Sequence, residues 1–149
     1  MPWHYENKTP APYLVMTGLS YLFPAMVAYS NGFTWETFSL FFVTGTTMAF
    51  HWFRDDTLFV IDVVAILNLF TCALYNASLV GVGPATPFIG SILYCFYSYF
   101  LGQQFKTLAW DPDWTTQMIF HGFIHISTAY GAYKMLITRT HSTDSLETV

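Results

Sequence analysis

Charge is what this sequence lacks. Asp, Glu, Lys and Arg together make up 9% of its 149 residues, against about 25% in a soluble domain. None of the four occurs between Val63 and Phe105. A soluble chain of this size exposes too much surface to do without them, so the composition belongs to the membrane class. The net charge of −4 is small and no basic stripe exists, which excludes a nucleic-acid partner. Cysteine is scarce too. Cys72 and Cys95 both fall in apolar helical stretches and read as buried structural thiols that say nothing of redox compartment. A basic segment ahead of an apolar run is also missing: Met1 to Pro12 is polar and proline-containing. No cleavable signal peptide is expected, and the first helix is expected to act as its own targeting signal.

What is abundant is apolar surface, at 54% hydrophobic and 20% aromatic residues. A helix needs about 20 mostly apolar residues to cross about 30 Å of hydrocarbon. Five segments meet that need: Tyr13–Tyr29, Thr34–Phe53, Thr57–Ala77, Thr86–Phe105 and Trp114–Ile137. Turn chemistry separates them, in Ser30-Asn31-Gly32, Arg54-Asp55-Asp56, Gly81-Val82-Gly83-Pro84 and Asp111-Pro112-Asp113. Asp56 and Asp113 are expected to cap the third and last helices. The sequence therefore predicts an all-α integral membrane bundle of about five transmembrane helices. It forms one domain over 1–149, with a polar N-terminal segment 1–12 and a polar, mobile C-terminal tail 138–149. No internal repeat is visible.

Five spans place the two chain ends on opposite sides of the membrane. Lys8, Arg54 and Lys106 then share one face and Lys134 and Arg139 the other, too even a split to set an orientation. The glycosylation patterns Asn7-Lys8-Thr9 and Asn76-Ala77-Ser78 lie on opposite faces, so at most one can be used.

Against this background His51, Asp62, His121 and His125 stand out, because a bilayer charges several kcal/mol for an ionised group near its centre. All four fall toward one face. At a rise of about 1.5 Å per residue, Asp62 and His121 each lie roughly 10 Å below it. His121 and His125 are an i, i+4 pair, so both imidazoles can reach one ion. Three neutral imidazoles with an open fourth position describe a catalytic zinc site. Zinc lowers the pKa of a bound water toward about 7, and Asp62 would orient that water and take its proton as general base. Thr47, one turn before His51, would hold the water or the oxyanion that develops on the attacked carbonyl. Gln117, one turn before His121, is a candidate outer partner of the ligands.

Blander readings exist for each of these residues. Intramembrane histidines can be satisfied packing residues. A histidine pair can hold haem, although Asp62 would then be a liability beside the porphyrin. Thr47 can bond back to its own helix carbonyl. The run Tyr94-Cys95-Phe96-Tyr97-Ser98-Tyr99-Phe100 reads as interfacial or packing aromatics. Asn68 is expected to bond to a neighbouring helix, and Arg54-Asp55-Asp56 to be a solvated loop. The terminal Leu146-Glu147-Thr148-Val149 offers an apolar last residue to a PDZ-type groove, with an uncommon glutamate at its third-last position.

The stretch Gly45-Thr46-Thr47-Met48-Ala49-Phe50-His51, with Asp62 eleven residues later, resembles the second and third helices of alkaline ceramidases. These belong to a superfamily of membrane hydrolases that includes adiponectin-receptor-like proteins. The segment Gln117 to Tyr133, with its His-x-x-x-His, resembles the family's final helix. The likeness covers about 40 residues, and the rest of the chain is matched only by hydrophobicity. It implies zinc held by His51, His121 and His125, with Asp62 as the water-orienting base and Thr47 in place of the usual serine. The reaction implied is hydrolysis of a lipid amide, releasing a fatty acid from a sphingoid base, with a ceramide-like membrane lipid as substrate.

The chain departs from that pattern in three ways. Thr47 adds a methyl to the serine position. Five helices replace seven, the missing sequence lying between Asp62 and His121. Loss of an even number still brings the last helix in from the same face, but a cavity wall is gone unless bilayer lipid or a second copy in a homo-oligomer closes it. The acidic N-terminal cluster used for calcium is absent, with Glu6 alone near that place. Three functions follow. The first is a zinc-dependent lipid amide or ester hydrolase. The second is a receptor-like or scaffold protein with a structural zinc. The third is a haem-bearing or accessory subunit of a membrane complex.

Overall fold

The computed structural model describes residues 9–147, in which all regular structure is helical. Glu6, Asn7 and Lys8, and the last two residues of the terminal motif, Thr148 and Val149, lie outside the described residues. Five long helices form. The first, α1, is Pro12–Ser30, with a 3-10 turn at Leu19–Tyr21. That turn precedes Pro24, whose ring has no N–H to donate and crowds the carbonyl four residues back. Next come α2, Thr34–Phe53, and α3, Asp56–Val80. The fourth, α4, covers 82–105 as an α-helical Val82–Phe96, a π-helical Tyr97–Leu101 and a last turn Gly102–Phe105. A 3-10 turn at Leu108–Trp110 leads into α5, Trp114–Glu147.

All five sequence segments are present, with ends moved for local reasons. Asp55, not Asp56, caps α3: its carboxylate accepts from the N–H groups of Thr57 at 2.8 Å and Leu58 at 3.1 Å. Asp113 accepts from Thr116 N–H at 2.7 Å, and that bond holds its carboxyl below the usual range. The α4 helix starts at Val82 rather than Thr86, since Pro84 sits in a first turn whose N–H groups have no helical partner anyway. At the far end α5 continues through the polar tail to Glu147, well beyond Ile137. There the hydroxyls of Thr138, Thr140 and Ser142 bond to carbonyls one turn back, and Arg139 reaches into the bundle.

Helix α5 packs against α1, α3 and α4, but its backbone does not approach that of α2. Side chains bridge those two helices instead, histidines at one end and Arg139 with Glu36 at the other. Where α4 meets α5 the backbones nearly touch. A Cβ at Gly131 would come within 2.5 Å of the Phe88 Cα, so Gly131→Ala is expected to cost about 1–3 kcal/mol by overpacking. Gly90→Ala, where an added Cβ meets nothing within 4 Å, should be neutral or gain about 0.5–1 kcal/mol of helix propensity. Denaturant midpoints in detergent check both. Equal midpoints for the two variants would show that the helices are not held at this distance.

Among the described residues, two helices are long and apolar enough to cross a membrane: Pro12–Ser30 with a mean hydropathy of 1.2 and Asp56–Val80 with 2.2. Helix α2 carries Glu36, Ser39, Thr44, Thr46, Thr47 and His51, all of them buried. Its outer face shows Trp35, Phe38, Phe41, Trp52 and Phe53. Asn68 bonds to α2 as the sequence predicts, donating to Ser39 Oγ at 2.8 Å and accepting from Trp35 Nε1 at 3.4 Å. Asn76 is buried and donates to Glu36 Oε1 at 2.9 Å. A glycosylation acceptor needs an exposed side chain, so its sequon is sequestered. The two cysteines are free thiols, Cys72 buried and Cys95 half-buried.

Candidate metal centre

The last turns of α2 carry His51. The helix stops three residues later because Arg54 takes a left-handed φ of 54° and its N–H closes on the Phe50 carbonyl at 2.8 Å. Arg54 is not part of a solvated loop. It is buried, with its Cζ 5.7 Å from the rings of both Phe50 and Trp114. Aliphatic stem and planar guanidinium both suit an aromatic bed. The start of α1 is pinned to the same place, since Ala11 N–H donates to the His51 carbonyl at 2.9 Å. Opposite, α5 presents His121 and His125 from successive turns. Between them Gly122 lets α1 come close: a Cβ there would lie 2.6 Å from the Tyr13 ring.

The three imidazoles meet as the spacing predicts. Ring centroids are 4.8 Å apart for His51–His121, 5.2 Å for His51–His125 and 5.1 Å for His121–His125. One ring nitrogen from each lies within 4.8 Å of the other two, and all three residues are buried. The Thr17 hydroxyl lies 3.1 Å from the Leu14 carbonyl oxygen and 3.0 Å from His125 Nδ1. With its proton on that carbonyl it accepts from His125 Nδ1–H, which leaves the lone pair on Nε2. This is the outer-partner arrangement that orients metal-binding imidazoles. His51 Nδ1 is buried without a hydrogen-bond partner, an uncompensated desolvation that a cation would relieve. Donor type, mutual distance and the orphaned nitrogen fit a metal such as zinc.

Asp62 projects from the second turn of α3. Its Oδ1 accepts two hydroxyl bonds from α2, from Thr47 at 2.7 Å and Thr46 at 2.9 Å. Thr47 thus points away from its own helix carbonyls and holds the carboxylate. Thr46 is a partner that sequence reasoning missed, as is Thr17. Depth was the available signal for both, because they lie level with the histidines. Gln117 is half-buried, and its side chain makes no hydrogen bond to the site among the described residues.

Beside the histidines opens a cavity of ≈ 370 Å³ between α3 and α4. Its apolar walls include Phe59, Val63, Phe70, Phe96 and Phe100, while Asp62, Thr47 and the three histidines lie at one end. The aromatic run of α4 is therefore more than interfacial packing. The Tyr99 hydroxyl reaches to 3.3 Å from His121 Nε2, and its ring stands edge-on to both His121 and Trp110. No family model, curated protein or solved structure matches this chain, so the chemistry of the centre rests on its own residues.

Proposed function

We propose that the chain is a multi-pass integral-membrane, zinc-dependent hydrolase that cleaves an amide or ester bond of a lipid, with a ceramide-like amide as the leading substrate class. The observation that carries this reading is the meeting of His51, His121 and His125 with a clamped carboxylate at one end of an apolar cavity. Its membrane part is supported by an inverted distribution of polarity. Large apolar side chains such as Phe23, Phe41, Val64, Leu93 and Phe123 are exposed on every long helix, while histidines, threonines and Asp62 are buried. The polar residues that lower the hydropathy of α2 thus face protein and need not meet lipid.

The residues divide the chemistry between them. Bound zinc supplies Lewis-acid polarisation of the scissile carbonyl and a lowered water pKa. Two threonine hydroxyls hold Asp62 Oδ1, so its Oδ2 is left to accept the proton of an attacking water. Thr17, accepting from Nδ1–H, would leave His125 Nε2 free for the metal. The aromatic walls take an acyl chain and exclude bulk water from the carboxylate.

Asp62→Asn tests the reading. Its turnover of a lipid amide in mixed micelles is expected to fall about 10²–10⁴-fold, the range for loss of a general base, with zinc content unchanged. Retained turnover, or a wild type that hydrolyses no lipid amide or ester, overturns it. The alternative is a receptor-like protein with a structural zinc, and one observation favours it: the histidine side chains bridge α2 and α5, whose backbones do not approach each other. That alternative expects zinc without turnover in wild type and variant alike.

A further inference from the structure

The walls of the cavity beside the histidines are not equally covered. The lining residues from α1, α2 and α5, among them Tyr21, Thr47, Ile124 and Thr128, are all buried. The exposed ones stand on α3 and α4. Val63 is 38% exposed, and Leu67, Phe96 and Phe100 are each more than half exposed. In each pair the two residues are one helical turn apart, so each pair forms a rim along its own helix. Phe96 and Phe100 stack, with centroids 5.7 Å apart and planes 12° from parallel. A residue that lines a cavity and is also exposed marks where the cavity opens. Here the opening runs lengthwise between α3 and α4. No Asp, Glu, Lys or Arg occurs from Val63 to Phe105, so neither rim offers a charge to water or to a charged partner.

The end of the cavity away from the histidines is shut. Leu69 and Thr128 are buried there, and Phe70 stands edge-on to Phe88 with centroids 6.0 Å apart. Phe88 has no room to yield, because its backbone lies against Gly131. At about 1.5 Å per residue, Phe70 lies about 12 Å along α3 from Asp62. Carbon–carbon bonds of about 1.5 Å advance an extended chain by about 1.3 Å each, so about nine carbons fill that depth. A sixteen-carbon chain, about 20 Å long on the same count, does not fit. Its surplus has an apolar way out between the two rims.

We infer that the cavity holds only the carbonyl-side part of a long acyl chain, and that the rest of the chain leaves sideways between α3 and α4 into the bilayer. This rests on the membrane-hydrolase reading above, which puts the carbonyl at the histidine end. The lipid slides in between the rims without leaving its leaflet. Chain length beyond about nine carbons is then not read by the protein. The residues that admit the chain are Val63 and Leu67 on one side and Phe96 and Phe100 on the other. A second copy seated over the gap would instead make a closed pocket that does read length.

The test uses full-length protein in nanodiscs, photolabelled with a decanol that carries a diazirine on its last carbon. Unlabelled alcohols compete at equal mole fraction in the lipid. The label, mapped by peptide mass spectrometry, is expected around Phe70 and Thr128. In wild type, hexadecanol should compete as well as decanol. Val63→Trp and Leu67→Trp each fill the gap from the α3 rim. In both, decanol should compete as before and hexadecanol about 10-fold more weakly, the effect of modest overpacking. Leu74→Trp, exposed on α3 but outside the cavity lining, should behave as wild type. The inference is overturned if wild type excludes hexadecanol, if both rim variants accept the two alcohols equally, or if decanol displaces no label from Phe70 and Thr128. Turnover is not needed. A protein that gives the expected competition and hydrolyses no lipid amide or ester keeps the side opening and loses the hydrolase reading.

Discussion

His121→Ala is expected to take zinc from about one ion per chain to background in detergent-purified protein, measured by mass spectrometry beside wild type. His121 is the central donor, with its ring within 4.8 Å of His51, 5.1 Å of His125 and 5.9 Å of Tyr99. Loss of one of three imidazoles leaves two donors for an ion that holds four. An ion held by these rings would span the gap between α2 and α5, whose backbones do not pack together. Its binding free energy would then be folding free energy. Chelator is expected to lower the unfolding temperature of wild type by about 10 °C or more, since each kcal/mol shifts a domain of this size by about 4 °C. The variant should show the lower temperature with or without chelator. A wild type that purifies without metal, chelators having been avoided, refutes the centre.

The second large effect is expected at the opposite end of the bundle. Arg139 forms an ion pair with Glu36 and donates to Asn76 Oδ1 at 3.0 Å, and its Cζ lies 4.1 Å from the Phe33 ring centroid. Glu36 has a side chain only 6% exposed. Arg139→Leu strands this carboxylate, and breaking a buried pair from one side costs about 3–5 kcal/mol. Much of that cost should vanish in the double variant Arg139→Leu with Glu36→Gln, because no buried charge is then left uncompensated. Denaturant midpoints of the four proteins give the coupling. Additive losses would show that the two side chains do not act as a pair. Since the histidine cluster lies at the other end, zinc content should be unchanged throughout.

Most of the fold was legible because its signals are local. Hydropathy over Thr34–Phe53 and Thr57–Ala77, and turn residues such as Gly81 and Asp113, mark helices wherever they finally pack. The i, i+4 spacing of His121 and His125 fixed their common face, and helix parity fixed their depth beside His51 and Asp62. Hydropathy failed past Ile137, where α5 continues because its polar residues bond within the helix and Arg139 finds Glu36. It failed also at Arg54, whose burial depends on the Phe50 and Trp114 rings.

The candidate ligands and the carboxylate were thus fixed by the sequence alone. Their partners were decided only by tertiary structure. Thr17 reaches His125 because Gly122 admits α1, and Thr46 joins Thr47 on Asp62 because of how α2 is rotated against α3. Tyr99 comes to 3.3 Å from His121 Nε2 only through the packing of α4 against α5. Periodicity states which residues share a face of one helix. Which hydroxyl meets which imidazole depends on neighbouring helices, their closest approach and their rotation, and no single segment encodes those.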